Sequence, residues 1–351
     1  MKKLFVILVF LSSLLNAQNN FNRYVSEAAE SMDKMNFNGA VEKFSKALEY
    51  KSEAKNNYKI ADVYIYRGYC RYLLKNSKVA LEDMNEALSI KPEYSKTYYF
   101  KTLVLLDEKK FEECISCCDK GLEYKPGDNS IMMNKSRALN GLKKYKESNK
   151  VLFNLLENEP NDISVIRHIA SCYQRQKLWD SSVVYFSKAL AINPIDFISY
   201  YDRGISKSYL KDYDGAKDDI EKAIQLDSVS KQIGYNNLGF FLKIEQNDFK
   251  GAIEYFDKAI ALNNKFAFAY SNRGFAKLKL GDIKGAYKDI KKSIELDNTN
   301  SYAFKNLALV YIQDGKKTNA CENLKKAQAL GYTEMYDEEV DNLVKEHSCN
   351  K

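Results

Sequence analysis

The stretch YSNRGFAKLKLGDIKGAYKDIKKSIELD, Tyr270 to Asp297, decides how this chain folds. Its glycines and lysines suggest a phosphate-binding loop, but the Gly-x4-Gly-Lys-Ser/Thr spacing that such a loop needs is missing. Apolar residues instead recur at helical spacing on both sides of a Gly-Asp turn: Phe275, Leu278 and Leu280 before it, and Ala286, Ile290 and Ile294 after it. The stretch therefore predicts two amphipathic helices joined by a short turn.

A fixed period runs through the chain and is marked by its prolines. The four prolines are Pro92, Pro126, Pro160 and Pro194, and each lies 34 residues after the previous one. Proline stops a helix because it lacks an amide hydrogen and restricts the residue before it. A constant period of this size predicts stacked repeats, although the length alone would suggest two domains.

The helical pairs share small and large positions when they are aligned at this period. The first helix has a small position, filled by Ala28, Gly68, Thr102, Ser136, Ala170, Gly204, Gly239, Gly274 and Ala308. The second helix has another, filled by Ala40, Ala80, Cys114, Ser148, Ser182, Ala216, Ala252, Ala286 and Ala320. A larger apolar position follows it, filled by Phe44, Met84, Cys118, Leu152, Phe186, Ile220, Phe256, Ile290 and Leu324. Small residues let helices approach closely, and the larger residue fills the space between neighbouring pairs.

This pattern resembles the tetratricopeptide repeat, whose signature has Gly or Ala in the first helix, Ala-x3-Phe-x2-Ala in the second and Pro at the exit. The resemblance runs from Phe21 to Gly331 and implies an all-α fold, a right-handed α-solenoid of about nine hairpins. We expect the solenoid at residues 18–331 and a C-terminal capping helix at 332–351. Thr333 is its expected N-cap, and Met335, Val340 and either Leu343 or Val344 are expected to face inward. The segment IEQNDF departs from the pattern by one extra residue, which we place in the turn.

Three copies carry two basic residues on the first helix and an aspartate on the second. These are Arg67, Arg71 and Asp83; Arg203, Lys207 and Asp219; and Arg273, Lys277 and Asp289. Other copies hold mostly apolar residues at the same places, so the three positions change together. We expect partly exposed ion bridges inside these hairpins, each worth ~0.2–1 kcal/mol and serving to fix register. A ligand site is the less favoured interpretation, because charges in repeats usually pair or face water.

The N-terminal residues resemble an export signal. Lys2 and Lys3 precede an apolar run from Leu4 to Leu15, and Ala17 is a small residue suited to cleavage, so residues 1–17 are predicted to be a signal peptide. Retention as an anchor is the alternative. We expect an exported protein, periplasmic or secreted, with no transmembrane segment after signal removal.

The charge of the chain argues against a nucleic-acid partner. Without Lys2 and Lys3, the 54 Lys and Arg residues fall to 52 against 47 Asp and Glu, a net charge of +5. Because both signs are interspersed along the chain, the basic stripe that phosphate backbones require is missing from the sequence.

Seven cysteines allow disulfide, structural or metal-binding roles. Cys321 begins a second helix and Cys349 ends the expected capping helix that folds back along it, so we predict a Cys321–Cys349 disulfide worth roughly 3 kcal/mol. Cys114 and Cys118 fill buried repeat positions, and Cys117 replaces the aspartate of other copies. A structural role is favoured for these three over a metal or redox site, since no zinc-ligand spacing is present.

Nothing in the sequence suggests catalysis. The two histidines, His168 and His347, have no nucleophile, phosphate-loop or metal-ligand pattern near them. We therefore expect a protein that is not an enzyme, with no catalytic residue, no metal and no cofactor.

The resemblance implies a groove lined by first helices that binds a protein or peptide. Its predicted contact residues are Tyr69, Tyr72, Tyr99, Leu103, Arg137, Arg167, Tyr201, Phe240, Phe268 and Phe275. Further groove positions are Ile65, Leu106, Met133, Asn140, Ser171, Gln174, Ile205, Asn236, Lys243, Ser271 and Leu278. Aromatic and arginine side chains are favoured anchors in interfaces. The expected function is a non-catalytic exported scaffold for protein–protein interaction, in envelope assembly or secretion. A glycan- or polymer-binding solenoid is the alternative, and a cysteine-based metal or redox protein is the third reading.

Overall fold

The structure is a computed structural model that describes residues 19–227, 231–244 and 246–349, the side chains of 242–244 excepted. The predicted signal peptide at residues 1–17 lies outside the described residues. Within the described ranges the chain forms twenty α-helices, one 3-10 turn and one π-helix, and no strand. The all-α class with consecutive helical hairpins is confirmed.

Contacts along the chain divide it after Cys172 into two compact units. The helices of the first unit are α1 (Asn20–Asp33), α2 (Phe37–Glu49), α3 (Asn57–Leu73), α4 (Ser77–Ile90), α5 (Ser95–Asp107), α6 (Phe111–Tyr124), α7 (Asn129–Gly141) and α8 (Tyr145–Asn158). Helix α9 (Ile163–Arg175) contains the division.

The second unit continues the alternation of first and second helices. Its helices are α10 (Trp179–Ile192), α11 (Phe197–Tyr209), α12 (Tyr213–Leu226), α13 (Lys231–Asn237, continued by a π-helix at Leu238–Ile244), α14 (Phe249–Leu262), α15 (Ala267–Lys279), α16 (Ile283–Leu296), α17 (Ser301–Gln313), α18 (Lys317–Ala329), α19 (Tyr332–Met335) and α20 (Glu339–Glu346).

A residue in the left-handed backbone region makes each turn between a first and a second helix. These residues are Met35, Lys75, Lys109, Lys143, Lys177, Lys211, Asn247, Gly281 and Gly315. After Gly281 the amide of Asp282 donates to the carbonyl oxygen of Lys277 at 3.0 Å, which closes the end of α15. The Asp282 carboxylate then accepts from the amide of Gly285 at 2.8 Å and caps α16. One short segment thus ends one helix and starts the next.

The small positions bring the two helices of a hairpin into close contact, as predicted. A Cβ added at Gly274 would lie 2.6 Å from Cγ1 of Ile290 and 3.1 Å from the carbonyl oxygen of Ala286, so no larger residue fits without displacement. The large apolar positions are fully buried, with Phe186 and Phe256 each 0% exposed. Packing of these two kinds of position forms the core between hairpins.

The three charged triads join the helices of their hairpins, but they are more buried than the sequence suggested. Arg273 and Lys277 place nitrogen atoms 2.7 and 2.8 Å from the carboxylate of Asp289. The other triads repeat this arrangement, with contacts of 2.6–2.9 Å at Asp83 and Asp219. All three aspartates are at most 4% exposed. The expectation of partly exposed, weak pairs is therefore wrong for the carboxylates, because α4, α12 and α16 turn them into the hairpin interior.

Each triad arginine also contacts the second helix of the preceding hairpin, which the sequence analysis missed. In each case the guanidinium Nη1 makes this contact. Arg67 donates to Ser45 at 3.1 Å, Arg203 donates to Ser187 at 3.0 Å, and Arg273 donates to Asp257 at 2.6 Å. One guanidinium thus connects three helices. It also lies over the ring of the tyrosine three residues earlier, at 5.3–5.5 Å from Tyr64, Tyr200 and Tyr270.

The extra residue near IEQNDF lies in a helix and not in the turn, so its predicted place is wrong. The distance in sequence from Gly239 to the left-handed residue Asn247 is one residue longer than from Gly274 to Gly281. The π-helix at Leu238–Ile244 takes up this residue with a wider turn of backbone. The following turn keeps its usual form, since Asp248 accepts from the amide of Gly251 at 2.9 Å.

The C-terminal segment forms two short helices where one was expected. Gly331 has φ +76° and starts α19, and Tyr332, which is 1% exposed, fills the core in place of the predicted Met335, which is 56% exposed. The Thr333 hydroxyl, the predicted cap, instead donates to Asp341 at 2.8 Å. Val340 and Val344 face inward as predicted.

Helix α20 continues the 34-residue register of the repeats. Glu339 lies 34 residues after Lys305 and pairs with it at 3.1 Å. Tyr336 lies 34 residues after Tyr302, and their ring centroids are 5.5 Å apart. The segment therefore covers α18 and α17 much as a further first helix would.

Candidate partner-binding face

Neighbouring first helices in the first unit lie side by side. Helix α5 contacts both α3 and α7, so the predicted groove positions of these three helices form one strip. Its aromatic part is built around the buried ring of Phe100, which lies 5.1 Å from the rings of both Tyr69 and Tyr99. Tyr72 lies 6.2 Å from Tyr69, and Leu103 packs against the same cluster. The structure thus brings the four predicted residues of α3 and α5 together.

Tyr69, Tyr72 and Tyr99 present partly exposed rings, and the first two hold their hydroxyl protons more firmly than a free tyrosine does. Burial raises the pKa of Tyr69. Burial and the nearby carboxylate of Asp107 raise the pKa of Tyr72. A partly buried tyrosine offers an apolar ring with a polar end, which is the chemistry of an interface anchor.

Two basic residues follow the aromatic part: Arg137 lies on α7, and Arg167 lies on α9, the next first helix. Arg137 is exposed and Arg167 is half-buried. Both charges act on His168, whose Nδ1 lies 2.8 Å from the carbonyl oxygen of Ser164. Burial first, and then Arg137 and Arg167, lower the pKa of His168, although the Ser164 carbonyl opposes this. The two predicted arginines therefore act on the same imidazole, that of His168, which is neutral at pH 7.

The predicted residues of the second unit differ in accessibility. The Tyr201 hydroxyl accepts from the side-chain amide of Asn237, and burial raises the pKa of Tyr201. Phe240 packs 6.3 Å from Tyr302. Phe268 is 41% exposed, and the ring of Phe275 lies 5.3 Å from the ammonium groups of Lys279 and Lys305. Phe268 is thus the most open of the four.

Several further groove positions serve the fold instead of facing a partner. Ile65, Ser271 and Leu278 are buried, which corrects their assignment to the groove. Asn140 accepts from Cys172 at 3.2 Å, Gln174 donates to Ser206 at 2.9 Å, and Asn236 accepts from Asn272 at 3.0 Å. These bonds join successive first helices. The side chain of Lys243 lies outside the described residues.

Lys305 on α17 belongs to the same register and was missed. Its side chain is 3% exposed, lies 4.4 Å from the ring of Tyr302, and pairs with Glu339. Burial lowers the pKa of Lys305, and Glu339 opposes this shift. The sequence signal was a lysine at the position that Arg167 and Tyr201 occupy in their copies.

The cysteines of α6 are packed as core residues. Cys114, Cys117 and Cys118 are all buried, and Cys114 Sγ donates to the carbonyl oxygen of Thr102 at 3.7 Å. Burial raises the pKa of the Cys117 thiol to about 11, and a hydrogen bond with Cys114 and burial raise that of Cys118. The thiolate form, which binds metals and reacts, is therefore disfavoured.

Cys321 and Cys349 lie where a disulfide was predicted. Their sulfur atoms are 1.95 Å apart and their Cα atoms 5.1 Å apart, which suits a bond between α18 and the end of the C-terminal segment. Over residues 19–227, 231–244 and 246–349, no three His, Cys, Asp or Glu side chains are grouped as metal ligands. No helix in that part has the length and apolar character to cross a membrane.

Known proteins resemble the chain in its repeats and its fold. The family model of the tetratricopeptide repeat matches residues 198–229, 234–266 and 269–300. A TPR repeat-containing protein of Methanocaldococcus jannaschii is 27% identical in an alignment of 302 positions that covers 72% of this chain and 52% of that protein. The chain thus spans about half the length of this curated relative.

Two solved structures share the fold. A tetratricopeptide repeat protein from Parabacteroides merdae superposes with a TM-score of 0.58 at 17% identity, over 82% of this chain and 98% of that one. A chain of the APC/C hetero-tetramer Cut9-Hcn1 gives 0.53 at 16% identity, over 94% of this chain and 65% of that one. The period and the hairpins agree with these matches: the matched residues between 198 and 300 carry tetratricopeptide repeats, and the described chain has the fold of such repeat proteins.

Proposed function

We propose that this protein is a non-catalytic exported scaffold that binds a partner protein through an extended segment laid on its first helices. The observation that carries the proposal is the strip on α3, α5 and α7 together with Arg167 on α9, the next first helix. There, partly exposed tyrosines held by Phe100 continue into the arginine pair Arg137 and Arg167. Rigid aromatic rings and arginines are the residues on which interface energy concentrates.

The chemistry of the strip favours a partner segment with aromatic or aliphatic residues followed by acidic ones. Tyr69, Tyr72 and Tyr99 offer apolar ring surface, while Arg137 and Arg167 offer guanidinium groups that bind carboxylates in pairs of hydrogen bonds. Nucleic acid is disfavoured as a partner, since Lys and Arg exceed Asp and Glu by only 54 to 47 over the whole chain.

Export, to the periplasm or beyond the cell, belongs to the same proposal. It is supported by the signal-like residues 1–17 and by the pairing of Cys321 with Cys349, since disulfides persist in oxidising compartments. A role in envelope assembly or secretion follows from that location.

The test is capture of partners from envelope extracts with wild type and an Arg137→Glu/Arg167→Glu variant. The matched control is Lys146→Glu/Lys150→Glu, which makes the same change in net charge on exposed residues of α8. We expect a protein retained by wild type and control and lost from the first variant. Equal retention by all three would contradict the assignment of this face, and retention of polysaccharide alone would favour the glycan-binding alternative.

A further inference from the structure

A cavity of about 190 Å³ opens beside Tyr201 in the second unit. Phe197, Ile198 and Tyr201 of α11 form one wall, Ala223 and Ile224 of α12 with Asp227 form another, and Ile233 and Gly234 of α13 close it. Ile198 and Ile233 are each 38% exposed, so the cavity is open to solvent at this side.

The cavity exists because Gly234 replaces a side chain that other first helices place in the core. Five residues before the small position, three other first helices carry the buried branched residues Val63, Ile131 and Val165, and four carry the smaller buried residues Thr97, Ser199, Ala269 and Ala303. A Cβ at Gly234 would lie 2.4 Å from Cγ1 of Ile224. Ile224 therefore occupies part of the vacated volume, and the remainder stays open.

The lining is apolar apart from Tyr201 and Asp227. The Tyr201 hydroxyl is already engaged by Asn237. A polar group entering this cavity would give up its hydrogen bonds to water without adequate replacement, which costs a few kcal/mol. The cavity thus selects apolar groups.

The size and position of the cavity further restrict which groups it can bind. An apolar cavity of about 150 Å³ holds a benzene molecule, so the present one accommodates a single leucine- or phenylalanine-sized side chain. The mouth residue Ile198 occupies the register position that exposed Phe268 occupies on α15. A partner segment lying across the first helices of the second unit would pass over this mouth, and extended segments send alternate side chains toward such pockets.

We propose that this cavity receives one branched aliphatic or aromatic side chain of the partner segment. The inference rests on the proposed function, and it adds an apolar anchor residue to the description of the partner. The occupant enters from solvent between Ile198 and Ile233 and packs against Phe197, Ala223 and Ile224. Specificity comes from the volume of the cavity and from its mostly apolar lining.

The test uses N-acetyl-L-leucinamide as the probe, with the nearly isosteric N-acetyl-L-asparaginamide as its polar control. The measurement is an NMR titration of the protein with labelled isoleucine methyl groups. The leucine probe should shift the methyl signals of Ile198, Ile224 and Ile233 saturably, with a Kd on the order of millimolar. The methyl groups of Ile290, inside another hairpin, should not move. Equal shifts with both probes, or none with the leucine probe, would overturn the inference.

Ala223→Leu fills the cavity and should weaken binding of the leucine probe at least tenfold. Ala259→Leu, at the same position of α14, is the control for overpacking. If Ala223→Leu fails to fold, Ile233→Asp at the exposed mouth gives the same test. Unchanged probe binding in the folded variant would overturn the inference. If this variant captured the partner at the wild-type level, the inference would also be overturned, but the proposed function would not be contradicted.

Discussion

Arg273 donates two hydrogen bonds of 2.7 Å to the carboxylate of Asp289, from Nε to Oδ2 and from Nη2 to Oδ1. Burial alone would raise the pKa of Asp289, but the bonds and charges of Arg273 and Lys277 outweigh it and hold that pKa below its usual value. The Asp289 carboxylate is therefore charged although it is buried, and Arg273 and Lys277 stabilise that charge.

Replacing Arg273 by leucine should reduce the free energy of unfolding by about 3 kcal/mol, because a buried carboxylate loses its main partner. Replacing Arg273, Lys277 and Asp289 together by leucine should recover most of this loss, since three other copies hold mostly apolar residues at these positions, such as Ile169, Tyr173 and Tyr185. Urea unfolding measures both. The control Lys292→Ala breaks an exposed pair with Glu295 and should cost less than ~0.5 kcal/mol. A loss for Arg273→Leu no larger than the control would show that the triad is not stabilising.

His168 should titrate below its ordinary pKa, because burial and the charges of Arg137 and Arg167 disfavour the imidazolium. The folded chain then binds fewer protons than the unfolded chain, so stability is full above about pH 6.5 and falls as the pH drops below it. Arg137→Ala/Arg167→Ala should move the pKa of His168 upward in an NMR titration. In His168→Gln this part of the pH dependence of unfolding should vanish. An unmoved pKa in the double variant would place the two arginines too far from His168 to share its site.

Lysines in left-handed turns offer a route to higher stability. Lys143 has φ +60°, where a Cβ is strained, whereas Gly281 and Gly315 hold the same turn position without that strain. Lys143→Gly should stabilise the fold by about 0.5–1 kcal/mol, after the greater freedom of glycine in the unfolded chain is subtracted. Thermal unfolding measures the change.

The control for that prediction is Lys150→Gly, at an exposed position inside α8, which should destabilise by about 1 kcal/mol. Equal losses for the two variants would mean that the turn carries no strain.

The predicted Cys321–Cys349 bond would close a segment with a sequence separation of 28 residues. Cys349→Ser should lower stability by about 3–4 kcal/mol on the loop-entropy account and should speed amide hydrogen exchange in α20. Peptide mass spectrometry without reduction should find the cross-linked peptide in the wild type. Reductant should change exchange in the wild type and leave Cys349→Ser unaffected; two alkylated thiols in the oxidised wild type would refute the bond.

The sequence predicted the hairpins because their packing depends on size at fixed spacing. The small position of Gly274 and the large position of Phe256 follow from local sterics and recur in every copy. The prolines mark the same period in four of the copies. The aromatic and basic strip was predictable for the same reason, since register alone places Tyr99 beside Tyr69.

Features that depend on more than one repeat were harder to predict. The burial of Asp289 and the bond from Arg273 to Asp257 require the crossing of three helices, which spacing does not specify. An extra residue near Asn247 can enter a helix or a turn at similar cost, and the backbone takes the π-helical solution. The cavity at Gly234 depends on how far Ile224 moves into vacated space.

The uneven distribution of glycine among the turns bears on the order in which the chain folds. Hairpins α15/α16 and α17/α18 close through Gly281 and Gly315, while the earlier turns must force a methionine, lysine or asparagine into the left-handed region. Repeat proteins can nucleate at any unit and grow from it, so nucleation is expected at the pair that closes most readily. The last hairpins synthesised would then be the first to form, and the earlier ones would stay open longer.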